Sequence, residues 1–188
     1  SNQIALNLSS MTFMVAMGFS VVAMIRVGEM FGKRDLINLK RIAYSLFLII
    51  LLFDIFFCFI FLLFNEYLPW IYLSKTDDKS MSDVFQVIEI SSKLILISGV
   101  FQIFDGLQSV VLGALRGIQD VLIPTVLIFI AYILVGLPVS YYLGFNTHLG
   151  VVGIWIGLLV GLLTSSFFLL LRFSYDLNLM YKKSNLYL

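Results

Sequence analysis

Apolar residues in this chain come in long runs, not at alternate positions. Five such runs cover residues 4–30, 41–64, 83–115, 121–143 and 150–173. A helix of about 20 residues crosses the ~30 Å hydrocarbon core of a bilayer, and the period-2 alternation of a membrane strand is absent. The pattern predicts an all-α integral membrane protein with five transmembrane helices. The longest polar connection, 65–82, carries Pro69 and a charge cluster from Lys75 to Lys79. Gly136 and Pro138 inside the fourth run predict a kink there. After Phe173 the chain turns polar and aromatic and is read as a tail.

The charges between the runs set an orientation. With the loop after the first helix in the cytoplasm, Arg26, Lys33, Arg34, Lys40, Arg41, Arg116, Arg172, Lys182 and Lys183 lie inside, and only Lys75, Lys79 and Lys93 lie outside. Those nine against three account for all 12 basic residues and follow the positive-inside rule. The N-terminus of the chain is then outside and the C-terminus cytoplasmic, and 65–82 is an outer loop.

Composition removes several classes. The chain is 61% hydrophobic and 12% charged, against about 45–50% and 25% for a soluble domain; its obligatory partner is the lipid bilayer. A net charge of +1 offers nothing to nucleic acid. Cys58 is the single cysteine, with no second ligand beside it, and His148 stands alone, so neither a metal nor another cofactor is expected. No phosphate loop, GxSxG elbow or HExxH is present, so no enzyme is expected. The start, SNQIALNLSS, has neither an initiator Met nor a basic n-region and reads as the inner part of a longer frame.

Candidate chemistry centres on the third run, which reads FQIFDGLQSVVLGALRG from Phe101 to Gly117. At helical spacing, Ser98, Gln102, Asp105, Ser109, Gly113 and Arg116 share one face. A carboxylate at mid-span costs about 2.5–3.5 kcal/mol on insertion scales and marks a functional site by default. Asp105 is therefore the leading residue, with Gln102 and either Gln108 or Ser109 as expected hydrogen-bond partners. A charged Asp105 attracts a cationic substrate or Na⁺, and its protonation releases it. Asp54, in LLFDIFFCFIF, also lies near the midplane but has no polar stripe on its own helix. It either pairs with a group outside this chain or faces the bundle interior. Gln102, Gln108, Ser109, Asp54, Asn7 and Tyr132 are candidates for lining a substrate or cation pathway. Arg26 and Glu29, three residues apart, and Arg116 and Asp120 sit at the cytoplasmic ends of helices, where they pair, stop the helix or hold a gate loop. Gly153, Gly157, Gly161 and Ser165 put a small residue at every fourth position, a ridge for close helix packing.

Three stretches resemble one family. QIALNLSSMTFMVAMGFSVVAMIRVGEMFG (Gln3–Gly32), QIFDGLQSVVLGALRGIQDVLIPT (Gln102–Thr125), and LPVSYYLGF followed by LGVVGIWIGLLVG (Leu137–Gly161) are similar, in order, to the multidrug and toxic compound extrusion (MATE) family. The resemblance implies twelve helices in two six-helix bundles, of which this chain corresponds to helices eight to twelve. The N-terminal lobe and the helix before this chain would then be partners, and the family's carboxylates on them have no counterpart here. It further implies a secondary antiporter that exports amphipathic or cationic small molecules against H⁺ or Na⁺ entry across the cell (inner) membrane. Asp105, in its DGLQ setting, resembles the cation-coupling residue of the C-terminal lobe. Two rivals stand beside this reading. A lipid-linked sugar flippase of the same superfamily favours cationic residues in its cavity, whereas the mid-membrane charges here are acidic. A non-transporting membrane scaffold fragment is the other.

Overall fold

The computed structural model describes residues 2–64, 81–147 and 149–186. Residues 65–80 of the expected outer loop, His148 and the side chain of Asn7 lie outside the described residues. All regular structure among the described residues is helical. The helices are α1 (Asn2–Gly32), α2 (Leu36–Phe64), α3 (Met81–Gly117), α4 (Leu122–Ile130), a π segment (Ala131–Gly136), α5 (Leu137–Phe145) and α6 (Val151–Leu186). The α4, π and α5 pieces run on as one membrane-length rod, so five helical spans are long and apolar enough to cross a bilayer.

Two boundaries differ from those expected by more than a turn. Helix α2 starts at Leu36, not at 41, because Asp35 caps it: Asn38 N donates to Asp35 Oδ1 at 3.1 Å. That backbone hydrogen bond, with a second from the Asn38 amide, holds the Asp35 carboxyl below its usual range. The cap is thus complete above the ordinary aspartate range and fades as pH falls through the lowered value. Helix α6 continues past 173 to Leu186. No Gly or Pro interrupts that stretch, and Phe173, Leu177 and Met180 keep apolar contact on one side. The Tyr181 hydroxyl also donates to Leu36 O at 3.0 Å, tying the extension to the start of α2.

The turns after α1 and α3 are built alike. Arg34 and Gln119 adopt φ of +57° and +67°, the left-handed conformation that ends helices. At the first turn Asp35 N bonds Met30 O and Arg34 N bonds Phe31 O; at the second, Asp120 N bonds Leu115 O and Gln119 N bonds Arg116 O. Both patterns are Schellman closures, and both place an aspartate immediately after the left-handed residue.

Helix α3 is the centre of the bundle, packed on α1, α2 and α6. Its buried side carries Leu107, Val110, Val111, Ala114 and Leu115. These meet Ala23 and Val27 of α1, Phe47 and Ile50 of α2, and Leu169 and Phe173 of α6 in one core. The rings of Phe47 and Phe173 meet edge to face at 5.4 Å between centroids. Lipid is as apolar as these side chains, so burial alone does not hold such helices together; close van der Waals packing does. Small residues make it possible. A Cβ on Gly113 would overlap the backbone oxygen of Ser20, and one on Gly117 would lie 2.7 Å from Met24 O. At this seam the Ser20 hydroxyl donates to Ser109 O at 2.6 Å.

On its other side, α6 carries the glycine ridge. A Cβ on Gly153 would overlap Leu143, one on Gly157 would overlap Ser140, and one on Gly161 would sit 2.9 Å from Gly136 Cα. Ser165 is fully buried in line with them. The Ser140 hydroxyl donates to Ile154 O at 3.1 Å across this contact. The π segment explains how the fourth span carries Pro138. Proline lacks the N–H that an α-helix needs and its ring collides with the carbonyl four residues back. Widening the preceding turn, with Leu137 N bonded to Tyr132 O, relieves both.

The seam between α1 and α3 makes a paired prediction. Gly113→Ala should lose about 1–3 kcal/mol by overpacking against backbone. Gly18→Ala, in open space on the exposed side of α1, should be neutral or gain up to about 1 kcal/mol of helix propensity. Fluorescence-monitored unfolding in detergent micelles distinguishes them; equal behaviour of the two variants contradicts the packing described.

Candidate functional site

The polar stripe of α3 straddles the border between its buried and its open side. Gln102 lies on the buried side at 4% exposure, whereas Asp105, Gln108 and Ser109 lie at the edge, each partly exposed. The stripe therefore divides into two clusters instead of forming one surface.

The first cluster lies between α3 and α2. Asp54 is 0% exposed and faces the bundle interior. Gln102 Nε2 reaches its Oδ1 at 3.5 Å. Gly106, one turn beyond Gln102, presses its backbone on the same carboxyl group, so that a Cβ there would overlap it. Asp54 Oδ2 and Gln102 Oε1 are buried without a hydrogen-bond partner. The second cluster lies between α3 and the fourth span. Gln108 and Asp105 lie within electrostatic reach of the Tyr132 hydroxyl, while Gln108 Oε1 is buried without a hydrogen-bond partner. Asp105 acts in the same way on Asp54.

These positions correct the partners expected for Asp105. Gln102 turns to Asp54, Gln108 leaves its Oε1 buried without a partner, and at Ser109 the backbone carbonyl, not the side chain, is engaged, accepting from Ser20. Tyr132 does join Asp105. Asn7, the other pathway candidate, lies outside the described residues.

At the end that carries the two Schellman turns, Arg26 and Glu29 pair at 3.3 Å and Lys33 adds a second contact to Glu29 at 2.6 Å. All three are well exposed, so these pairs contribute little. Arg116 is exposed. Asp120 does not pair with Arg116. It accepts from Arg172 Nε at 2.8 Å, while Arg172 Nη2 reaches Asp176 at 3.1 Å. One guanidinium thus bridges two carboxylates, from the α3–α4 turn and from α6, with the Tyr175 ring 5.6 Å beneath it.

The MatE family model matches residues 1–142. The chain belongs to the MatE family. Relatives named for multidrug resistance agree. A probable multidrug resistance protein NorM of Rhizobium meliloti is 34% identical over 170 residues, covering 90% of this chain and 36% of that protein. The multidrug resistance protein NorM of Photobacterium profundum is 32% identical over 176 residues, covering 92% and 37%. The chain thus spans little more than a third of the length of these curated relatives. Among solved structures, an inward-facing multidrug resistance MATE family transporter of the MOP superfamily superimposes with a TM-score of 0.82 at 16% identity, over 96% of this chain and 40% of that one. A eukaryotic MATE transporter gives 0.80 at 19% identity. At these identities the likeness is one of fold. The MatE chain is accordingly a multi-pass, all-α membrane protein.

Two residues of the site escape sequence reasoning. Gly106 makes the Asp54 contact with backbone alone, and nothing in its neighbourhood announces it. Arg172 was legible only as a positive charge near the end of the last run; its partners are 52 positions earlier and one turn later. Arg172→Ala should leave two adjacent carboxylates without their shared cation and cost about 1.5–3 kcal/mol, the range for hydrogen bonds to charged groups. Arg172→Lys keeps the charge but loses the two-pronged geometry and should fall between. Unfolding midpoints of the three proteins test the order; an unchanged midpoint for the alanine variant contradicts it.

Proposed function

We propose that this chain is the C-terminal portion, helices eight to twelve, of a secondary active antiporter that exports amphipathic or cationic small molecules. The observation that carries the reading is Asp105: a partly exposed, mid-span carboxylate whose charge reaches the Tyr132 hydroxyl, with Gln108 within one turn. A carboxylate at that depth attracts a cation, and an aromatic ring next to it adds cation–π attraction for a lipophilic one. The names of the curated relatives support the same direction. Entry of H⁺ or Na⁺ supplies the energy. One elementary charge moved through 100 mV releases about 2.3 kcal/mol, enough for a gradient of a few tens-fold.

Alternating access uses two bundles that rock against each other around a central site, so transport requires the N-terminal lobe and the helix preceding this chain. The bilayer and that lobe are the partners proposed, with the chain's N-terminus outside and its C-terminus cytoplasmic in the cell membrane. In that orientation the Asp120–Arg172–Asp176 bridge sits on the cytoplasmic side, where it holds the α3–α4 turn to α6 through the cycle.

The test uses the full-length transporter carrying this chain in proteoliposomes, with efflux of a cationic dye followed under an imposed pH gradient and then under a Na⁺ gradient. Asp105→Asn is expected to abolish gradient-driven transport, at least tenfold in rate, and the gradient that drives the unaltered protein names the ion. Tyr132→Phe is expected to weaken dye affinity more than maximal rate. Transport by Asp105→Asn equal to that of the unaltered protein removes Asp105 from coupling.

A further inference from the structure

Coupling at Asp105 gives Asp54 no role beyond a place along the pathway, yet this is the more deeply buried of the two mid-span carboxyl groups. Its neighbours along α2, Phe53, Phe57 and Cys58, are apolar, and the Gly106 backbone presses on it from α3. Among the described residues, the side chain that hydrogen-bonds it is Gln102, through Nε2 to Oδ1 at 3.5 Å, the outer limit of a hydrogen bond. That nitrogen serves Asp54 Oδ1 alone, and the other two oxygens of the pair, Asp54 Oδ2 and Gln102 Oε1, are buried with no donor. What this pair lacks is a hydrogen-bond donor. A proton on the carboxyl group is one. It also removes the charge, and burying a neutral acid costs far less than burying an unpaired carboxylate.

A metal cation answers the same need poorly. Such ions gather several oxygen ligands at once, and here the Gly106 backbone fills the space beside the carboxyl group so closely that not even a methyl group fits. Basic groups do not answer it either. On α1 the charged side chains, Arg26 and Glu29, lie in the last turns, with Lys33 just beyond, and on α6 Arg172, Asp176, Lys182 and Lys183 lie at that same end of the bundle. Across α3, the charged group that acts on Asp54 is Asp105, which is of like sign.

We propose that Asp54 and Gln102 form a proton-binding site distinct from the Asp105 cluster: the neutral Asp54 acid donates its O–H to the Gln102 side-chain oxygen and seats α2 against Gly106 of α3. Loss of the proton leaves a bare carboxylate facing an oxygen and a second carboxylate, so the α2–α3 contact loosens when Asp54 ionises. The site lies wholly within this chain. It does not depend on what is transported.

The test is infrared difference spectroscopy on the full-length protein in lipid at neutral pH, unaltered minus Asp54→Asn, in H₂O and in D₂O. The expected result is the carbonyl stretch of a protonated carboxylic acid, shifted by deuteration, lost in Asp54→Asn and retained in Asp105→Asn. A difference spectrum showing carboxylate bands in its place overturns the proposal. Should Asp54→Asn fail to fold, Gln102→Leu in the presence of the native Asp54 serves as the second arm. Loss of the hydrogen bond should move the acid stretch to higher frequency, and a stretch that stays in place overturns the pairing. Dye efflux is not read in either arm, so failure of the efflux reading and failure of this site are told apart.

Discussion

Everything in this bundle depends on backbone meeting backbone at positions without side chains. In lipid there is no water to expel, so helices stay together only where their surfaces fit. Gly106, Gly113 and Gly117 let α3 approach α2 and α1, and Gly153, Gly157 and Gly161 let α6 approach the fourth span. With α3 held that closely, its polar side chains cannot drift into lipid. Gln102 is committed to Asp54, and Asp105 is left at the edge facing Tyr132. The chemistry of the site follows from the packing, because the same rigid contact both buries one carboxyl group and exposes the other.

Polar atoms within the membrane are handled by a small set of devices. Serine hydroxyls return to backbone carbonyls across helix contacts, Ser20 to Ser109 and Ser140 to Ile154, while Ser166 donates to Phe104 on α3. Each such bond satisfies a donor and at the same time joins two helices. The carboxyl groups are treated differently at different depths. Asp120 and Asp176 share an arginine near the end of the bundle, where water is close. Asp54 and Asp105 lie at mid-span with amides or a phenol for company. Charge neutralisation by a basic residue is thus confined to the ends, as expected where bringing a guanidinium to mid-span would itself be costly.

Much of the fold was legible in the pattern of apolar runs, because the length of hydrocarbon to be crossed sets the length of each run. An irregularity near Pro138 was legible for a local reason, a missing N–H, and it takes the form of the π segment Ala131–Gly136. Less legible were features resting on distant partners. The end of α6 was misjudged because the polar and aromatic residues after Phe173 look like a tail, whereas Leu177 and Tyr181 are held by the core and by the start of α2. Asp54 looked isolated because its own helix carries no polar stripe; its partners come from α3, and one of them has no side chain. For Asp105, helical spacing put the amides on the right face, but spacing cannot tell which of two neighbouring helices each one turns toward.

The π segment of the fourth span means that this rod contains one residue more than an α-helix would use over the same turn. That residue sets the rotational phase between its two halves. Ahead of Pro138, the Tyr132 ring and Gly136 lie beside Gly161 of α6; beyond it, Ser140 and Leu143 lie against Gly157 and Gly153 of the same helix. A straight α-helix with the same hydropathy would cross the membrane equally well but would aim its far half at a different neighbour. Residue count in this span is therefore as constrained as composition, and a single-residue insertion or deletion between Ala131 and Gly136 acts on the whole of α5 as a rotation, not as a local defect.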